Sequence, residues 1–322
     1  MSRRALVDRL IELTGNVVTE VDPRDGWPGL VQIYLYDGNF PAAAHLGPIG
    51  LSHRNRDDVE RRFQNPGKGR PMSAPEGYQP LLLGIWEQGT RPVLVGMEAE
   101  ARLGRGTRQS LFIPLWLLEQ AVASGWSEHH STSGELIIGF HPALLPAYIE
   151  ARRGGVHIEP EQVADISEAS GLLAVPEETA VERARRGISA LVRRARFGKD
   201  VVTAYAERCA MCGINFGLVE GAHIYPVQAP SAPDTIWNGL ALCGNHHAAF
   251  DRHLVWIEPS TRAVSVHPVI RSAADQDSTA RSFVDLTLPQ LRRPKSHHDE
   301  PRMEMFTKRY EYFEKKYDWA NH

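Results

Sequence analysis

The sequence has three cysteines, and all of them fall into one pattern. Cys209-Ala-Met-Cys212 is followed some thirty residues later by Cys243-Gly-Asn-His246. Two such hooks supply three thiolates and an imidazole, a donor set that suits tetrahedral Zn²⁺. Four protein ligands leave no open coordination position, so this zinc is expected to hold the fold rather than take part in a reaction. A second group of polar side chains is threaded through the hooks. It comprises His223 in Ala-His-Ile, Asn238 just before Gly-Leu-Ala-Leu-Cys, and His247 in His-His-Ala-Ala-Phe-Asp. A neutral histidine is the side chain best suited to accept a proton near pH 7. Such a base beside a cation can activate water for a hydrolytic reaction.

These residues must be positioned by short elements, and the chain supplies them in three parts. Residues 1–153 are read as a mixed α/β domain with strand-like apolar runs at 30–35, 80–86, 93–96, 111–114 and 136–140. Two helices are expected there, one near 57–63 and one at 115–124. Residues 154–180 are acidic and punctuated by Gly and Pro, which reads as a linker with a short helix. Residues 181–322 begin with a helix over 177–196, carry the cysteines and end in a tail with Phe306, Tyr310, Phe313 and Tyr317 at helical spacing. The predicted class is α+β: an N-terminal mixed α/β recognition domain, a helical linker, and a zinc-stabilised C-terminal domain.

The formal net charge of −3 argues against a DNA partner only if charge is spread evenly, and it is not. Residues 181–199 hold six arginines and a lysine against Glu182, and residues 52–70 are similarly basic. Such runs suit phosphate contacts, although each could equally be a solvated face. The cysteine usage suits a reducing compartment, no apolar run spans a bilayer, and the N-terminus has no apolar signal core. A cytoplasmic protein without a membrane partner is expected.

The order His223, Asn238, His247 within a zinc site resembles the HNH family of ββα-metal nucleases, in the branch of McrA-like type IV restriction enzymes. The resemblance implies that His223 is the general base, that Asn238 fixes the loop and the histidine strand, and that His247 ligates a catalytic Mg²⁺ or Mn²⁺. Many HNH proteins carry Asp or His just before the base. This chain has Ala222 there, which leaves either Glu220 or phosphate and water to complete the metal shell.

The preceding 150 residues resemble, more loosely, the sulfur-binding module of those enzymes, which recognises phosphorothioate DNA. On that resemblance His53 and Arg54 match its His-Arg pair, with Pro71, Ala74 and Tyr78 as candidates for an apolar sulfur pocket. The loop carrying Arg102, Arg105, Thr107 and Arg108 is expected to contact DNA. The resulting expectation is a modification-dependent endonuclease acting on phosphorothioate-modified double-stranded DNA. The alternatives are an HNH endonuclease directed to methylated cytosine and a non-catalytic, zinc-stabilised DNA-binding protein. Cutting both strands is easier for a homodimer. The aromatic tail could serve that end or complete its own domain.

Overall fold

A computed structural model describes residues 2–22, 28–36, 38–64, 71–105, 110–174 and 178–320. The chain divides into two compact units, Met1–Val192 and Arg193–His322.

The first unit opens with α1 (Arg3–Thr14), capped by the Ser2 side chain, followed by β1 (Val18–Asp22), β2 (Gly29–Leu35) and the long β3 (Gly38–Leu51). Then come β4 (Glu60–Gln64), β5 (Gln79–Trp86), β6 (Val93–Met97), β7 (Ser110–Pro114) and α2 (Leu115–Ser124). The hairpin strands β8 (Trp126–His130) and β9 (Leu136–Phe140) precede α3 (Leu145–Gly154), α4 (Pro160–Ser170) and α5 (Glu178–Ala204). The strands form one nine-stranded sheet of order β1-β2-β3-β5-β6-β9-β8, with β4 pairing β3 and β7. Only β3 and β5 run parallel among these pairs.

The sheet is covered on both faces, which explains why β3, β5 and β6 are nearly continuously apolar. Leu81, Leu83 and Ile85 join a core with α1, α3 and α5 residues, while Leu82 and Trp86 face a second core with Leu117 and Leu118 of α2. That alternation is the two-residue period of a strand.

The helix expected near 57–63 is not formed. Residues 60–64 are β4 instead, because Phe63 is drawn into the sheet. Gly47 and Gly84 face each other across β3 and β5; Phe63 fills the space of a side chain at Gly47 and, behind Ile49, borders that at Gly84. The linker expected over 154–180 is also corrected. Pro160 and Gly171 there are the start and left-handed stop of α4. Ile158, Val163 and Leu172 lie in the core of the first unit. The boundary between the compact units falls later, within α5.

The second unit takes the last part of α5, whose Phe197, Val201 and Ala204 enter its core. It continues with β10 (Val219–His223), β11 (Gly239–Cys243), α6 (Gly244–Asp251) and the hairpin β12 (Val255–Ile257) with β13 (Val264–Val266). Helices α7 (Pro268–Ala273), α8 (Ser278–Leu286) and α9 (Met303–Phe313) follow. The aromatic tail packs on this unit. Phe306 is fully buried, the Tyr310 hydroxyl donates to Ile257, and Phe313 and Tyr317 contact His253. No helix among the described residues is long and apolar enough to cross a membrane.

Candidate metal centre and nuclease site

The four hook residues converge. Ligand atoms of Cys209, Cys212, Cys243 and His246 all lie within 4.8 Å of one another. The Cys212 and Cys243 sulfurs are 3.8 Å apart, and His246 Nδ1 is 3.2 Å from Cys243 Sγ and 3.8 Å from Cys209 Sγ. A tetrahedron with Zn–S bonds of about 2.3 Å has S···S edges of about 3.8 Å, so the spacing fits. His246 is oriented from behind: the Thr287 hydroxyl donates to the Phe283 carbonyl and stands 3.1 Å from His246 Nε2, which it accepts from. That fixes the proton on Nε2 and turns the Nδ1 lone pair toward the thiols, as a metal-ligating histidine requires.

The electrostatics make the same point. Burial and the neighbouring thiols push Cys212 up to about 12. For Cys209 burial acts against ionisation, yet the adjacent imidazole of His246 and backbone amides such as Met211 N draw it down to about 6. Three thiolates so close together are stable only around a cation.

The hairpin β10–β11 runs between this cluster and the second constellation. Its register sets Val219 opposite Cys243 at one end and His223 opposite Gly239 at the other. His223 is held on two sides. Its Nε2 lies 2.9 Å from Asp234 Oδ1, and its ring stacks on Phe197 with centroids 3.7 Å apart. Burial and the exposed Arg194 push its pKa down, while Asp234 partly restores it. The imidazole therefore rests neutral at pH 7, with Nδ1 left to accept a proton.

Asn238 is fully buried. Its Oδ1 accepts from Tyr225 N at 2.8 Å, and its Nδ2 donates to the carbonyls of Tyr225 and Pro233. It thus ties down the chain just after His223. His247, on the first turn of α6, stands between two carboxylates: Nδ1 is 3.2 Å from Glu220 and Nε2 3.4 Å from Asp251. Glu220, two residues before Ala222 on the same face of β10, therefore reaches the histidine that the missing acidic residue would have accompanied. No hydrogen bond links His223 to His247 among the described residues.

Several partners escaped sequence reasoning. Asp234 and Phe197 are remote in sequence from His223, and only their side-chain types hinted at a role. Arg309 of α9 is 2% exposed and donates to the carbonyls of Ile224 and Phe250 and to Tyr317 Oη, with Asp251 at 3.9 Å. It braces both the segment after His223 and the end of α6.

The residues expected to read DNA are less concentrated. His53 and Arg54 are exposed in a loop whose amides at Ser52 and His53 bond to Asp57, and the Arg54 guanidinium lies 3.8 Å over Phe112. Pro71 is exposed, and Ala74 and Tyr78 are half-buried. Met72 pairs with Gly104 and Arg105, so Pro71 and Arg105 belong to neighbouring strands of chain. No hydrogen bond, ion pair or ring contact joins His53 or Arg54 to Pro71, Ala74 or Tyr78 among the described residues. Thr107 and Arg108 lie outside the described residues. Arg102 of the same loop is not available for DNA, since it is buried and paired with both carboxylate oxygens of Glu135, at 2.8 and 2.7 Å. Arg185 of the basic helix is likewise committed to the carbonyls of Ala143 and Thr14.

Comparison with known proteins bears on the same segments of the chain. Residues 209–258 match the HNH endonuclease family, and residues 44–149 match the family described as Methylase-associated X1. The chain thus contains an HNH endonuclease domain, preceded by a methylase-associated X1 domain, and it is a nuclease. A solved structure, the modification-dependent TagI restriction endonuclease, is similar at 13% identity and a TM-score of 0.32, covering 85% of this chain and 81% of that one. No curated protein matches the chain.

Proposed function

We propose that the protein is a modification-dependent DNA restriction endonuclease, in which the first unit reads a modification and the HNH domain cuts nearby. The observation that carries the cutting half is the neutral His223, held by Asp234 and Phe197 next to a hairpin whose α6 presents His247 between Glu220 and Asp251. In this reading His223 Nδ1 takes the proton from the attacking water, and the proton resides on the imidazole until the product leaves. Asn238 keeps the histidine segment from shifting. His247, with Glu220 in the role that Ala222 cannot fill, would hold the catalytic Mg²⁺ or Mn²⁺. When bound, that ion supplies charge stabilisation at the scissile phosphate. Asp251 orients His247 through its other ring nitrogen. The exposed Arg194 suits the phosphate backbone beside His223. The Cys3His cluster would carry structural Zn²⁺.

For recognition, the resemblance favours phosphorothioate DNA, with the exposed His53-Arg54 pair on the backbone and Pro71, Ala74 and Tyr78 as an apolar wall for sulfur. Sulfur is larger and less hydrated than oxygen, so a partly apolar surface beside a cation prefers it. Arg105, Thr107 and Arg108 would add salt-dependent affinity. Methylated cytosine is the second reading, favoured by a cavity in the first unit described below. The deciding experiment is cleavage of one duplex sequence in three forms: plain, with a stereodefined phosphorothioate, and with 5-methylcytosine. Cutting confined to one modified form supports the proposal and names the mark. Equal cutting of all three refutes modification dependence. A homodimer would place two sites on two strands, and the mass in solution by sedimentation tests it.

A further inference from the structure

The first unit contains a cavity of about 510 Å³ where the start of β3, the start of β5, the end of β6 and α3 meet. Its size is that of a site for a small organic ligand, and it is far too narrow for a duplex. Phe40, Met97 and Ile149 are among its apolar lining, and three polar residues line it as well: the buried Tyr148, the half-buried Arg152 and the exposed Glu100. Among the described residues none of these three groups has a hydrogen bond or ion pair. That is unusual for a half-buried arginine, since a charge held partly out of water is costly without a partner. Tyr148 itself is rigid. Its ring stacks on Phe140 at 4.7 Å and lies against Gly96, where any side chain would collide with it. The cavity is therefore preformed, and its unpaired groups call for a ligand with both donors and acceptors.

We propose that this cavity receives a cytosine base turned out of DNA, with a preference for one carrying a methyl group. The inference rests on the reading of the protein as a nuclease directed to modified DNA. The pairing edge of cytosine presents an amino donor beside two acceptors. Glu100 accepts from the amino group, and the planar fork of Arg152 donates to the ring nitrogen and carbonyl. The ring and its 5-methyl group fill the apolar space beside Met97 and Ile149. Arg153, exposed next to Arg152 and 5.7 Å from the Phe40 ring, is placed for the flanking phosphate. A base inside a duplex cannot reach such a cavity unless it is extruded, and the lost stacking must be offset by the contacts it gains.

The test uses the full zinc-bearing chain without added Mg²⁺ or Mn²⁺, so that binding is measured apart from cleavage. Three duplexes of one sequence are compared by fluorescence anisotropy: plain, with one 5-methylcytosine, and with one phosphorothioate. Each carries 2-aminopurine next to the target base to report its unstacking. The methylated duplex is expected to bind about tenfold tighter than the plain one, with a rise in 2-aminopurine fluorescence. Arg152→Ala and Glu100→Ala are each expected to remove most of that preference. Neither side chain has a partner within the fold, so both variants should melt like the parent. A methyl preference that persists in both variants, or is absent in the parent, overturns the inference. A preference for the phosphorothioate duplex alone also overturns it, yet leaves modification dependence standing. Equal binding together with equal cleavage of all three duplexes would sink both.

Discussion

The sharpest test of the nuclease site is the Asp234→Asn variant, which keeps the shape and removes the charge. In the native protein the carboxylate 2.9 Å from His223 Nε2 opposes two influences, burial and Arg194, that both disfavour the imidazolium. Without it those influences act alone, so the His223 pKa must fall further. A hydrogen bond to a charged group contributes about 1.5–3 kcal/mol. The pair is partly exposed, 14% and 29% for the two side chains, so the lower end applies. The acid limb of the pH–rate profile should therefore move to lower pH. The plateau should fall by about tenfold or more, because a base of lower pKa is weaker and no carboxylate stabilises the imidazolium that forms. The assay is single-turnover cleavage across pH 5 to 8 at saturating Mg²⁺ or Mn²⁺, with a thermal melt to confirm the fold. An acid limb that stays in place or moves up would refute the assignment of His223 as the base that Asp234 tunes.

Other expectations concern stability. Stripping the Cys3His cluster with a chelator should release one zinc per chain and abolish the cooperative melt of the second unit, while the strands of the first unit keep their circular dichroism; an unchanged melt with no zinc in the protein would contradict the cluster's role. Arg309→Met leaves the carbonyls of Ile224 and Phe250 and the Tyr317 hydroxyl without their donor, and should cost about 3 kcal/mol or more in denaturant unfolding. A loss below about 1 kcal/mol would mean that water takes over those bonds. His141 caps the turn before α3 by accepting from Ala143, and burial, helped by Arg91 and Arg185, lowers its pKa from 6.5 to about 4. The unfolded chain therefore binds an extra proton below pH 6.5. Stability should be full above that pH and fall by about 3 kcal/mol as it approaches 4. His141→Asn keeps a cap acceptor and should flatten the profile; a parent profile already flat over this range would show that His141 does not titrate.

The two constellations differ in how far they could be read from the sequence. Zinc hooks are local: two turns of fixed spacing fix which atoms point inward, and β11 runs directly into α6, so Cys243, His246 and His247 come as one block. The helpers are non-local. Asp234 comes from the loop before Asn238, Phe197 from α5 and Arg309 from α9, and no periodicity marks any of them. Tertiary demand also overrode local propensity. The charged stretch at 57–63 has helical composition, but the paired glycines of β3 and β5 leave a hole that only an extended segment can fill with Phe63. The cavity in the first unit was illegible for the same reason, since four elements far apart in sequence supply its lining.

Two five-residue strands and an eight-residue helix are too small to be stable alone, and a two-stranded hairpin in water is marginal. In this one β11 is buried throughout in the core of the second unit, and polar ties secure both ends. At the Val219–Cys243 end the metal cluster fixes the strand that becomes α6. At the His223–Gly239 end Asn238 fastens the departing chain, and Arg309 reaches the Ile224 carbonyl from α9. The segments that carry His223 and His247 are thus held by these polar ties as well as by the core. Catalytic side chains need placement to within a fraction of an ångström, and such bracing supplies it. On the proposed reading the arrangement would also separate two roles of metal: the Cys3His cluster offers four protein ligands and no open position, whereas His247, 27% exposed, lies between the exposed carboxylates of Glu220 and Asp251.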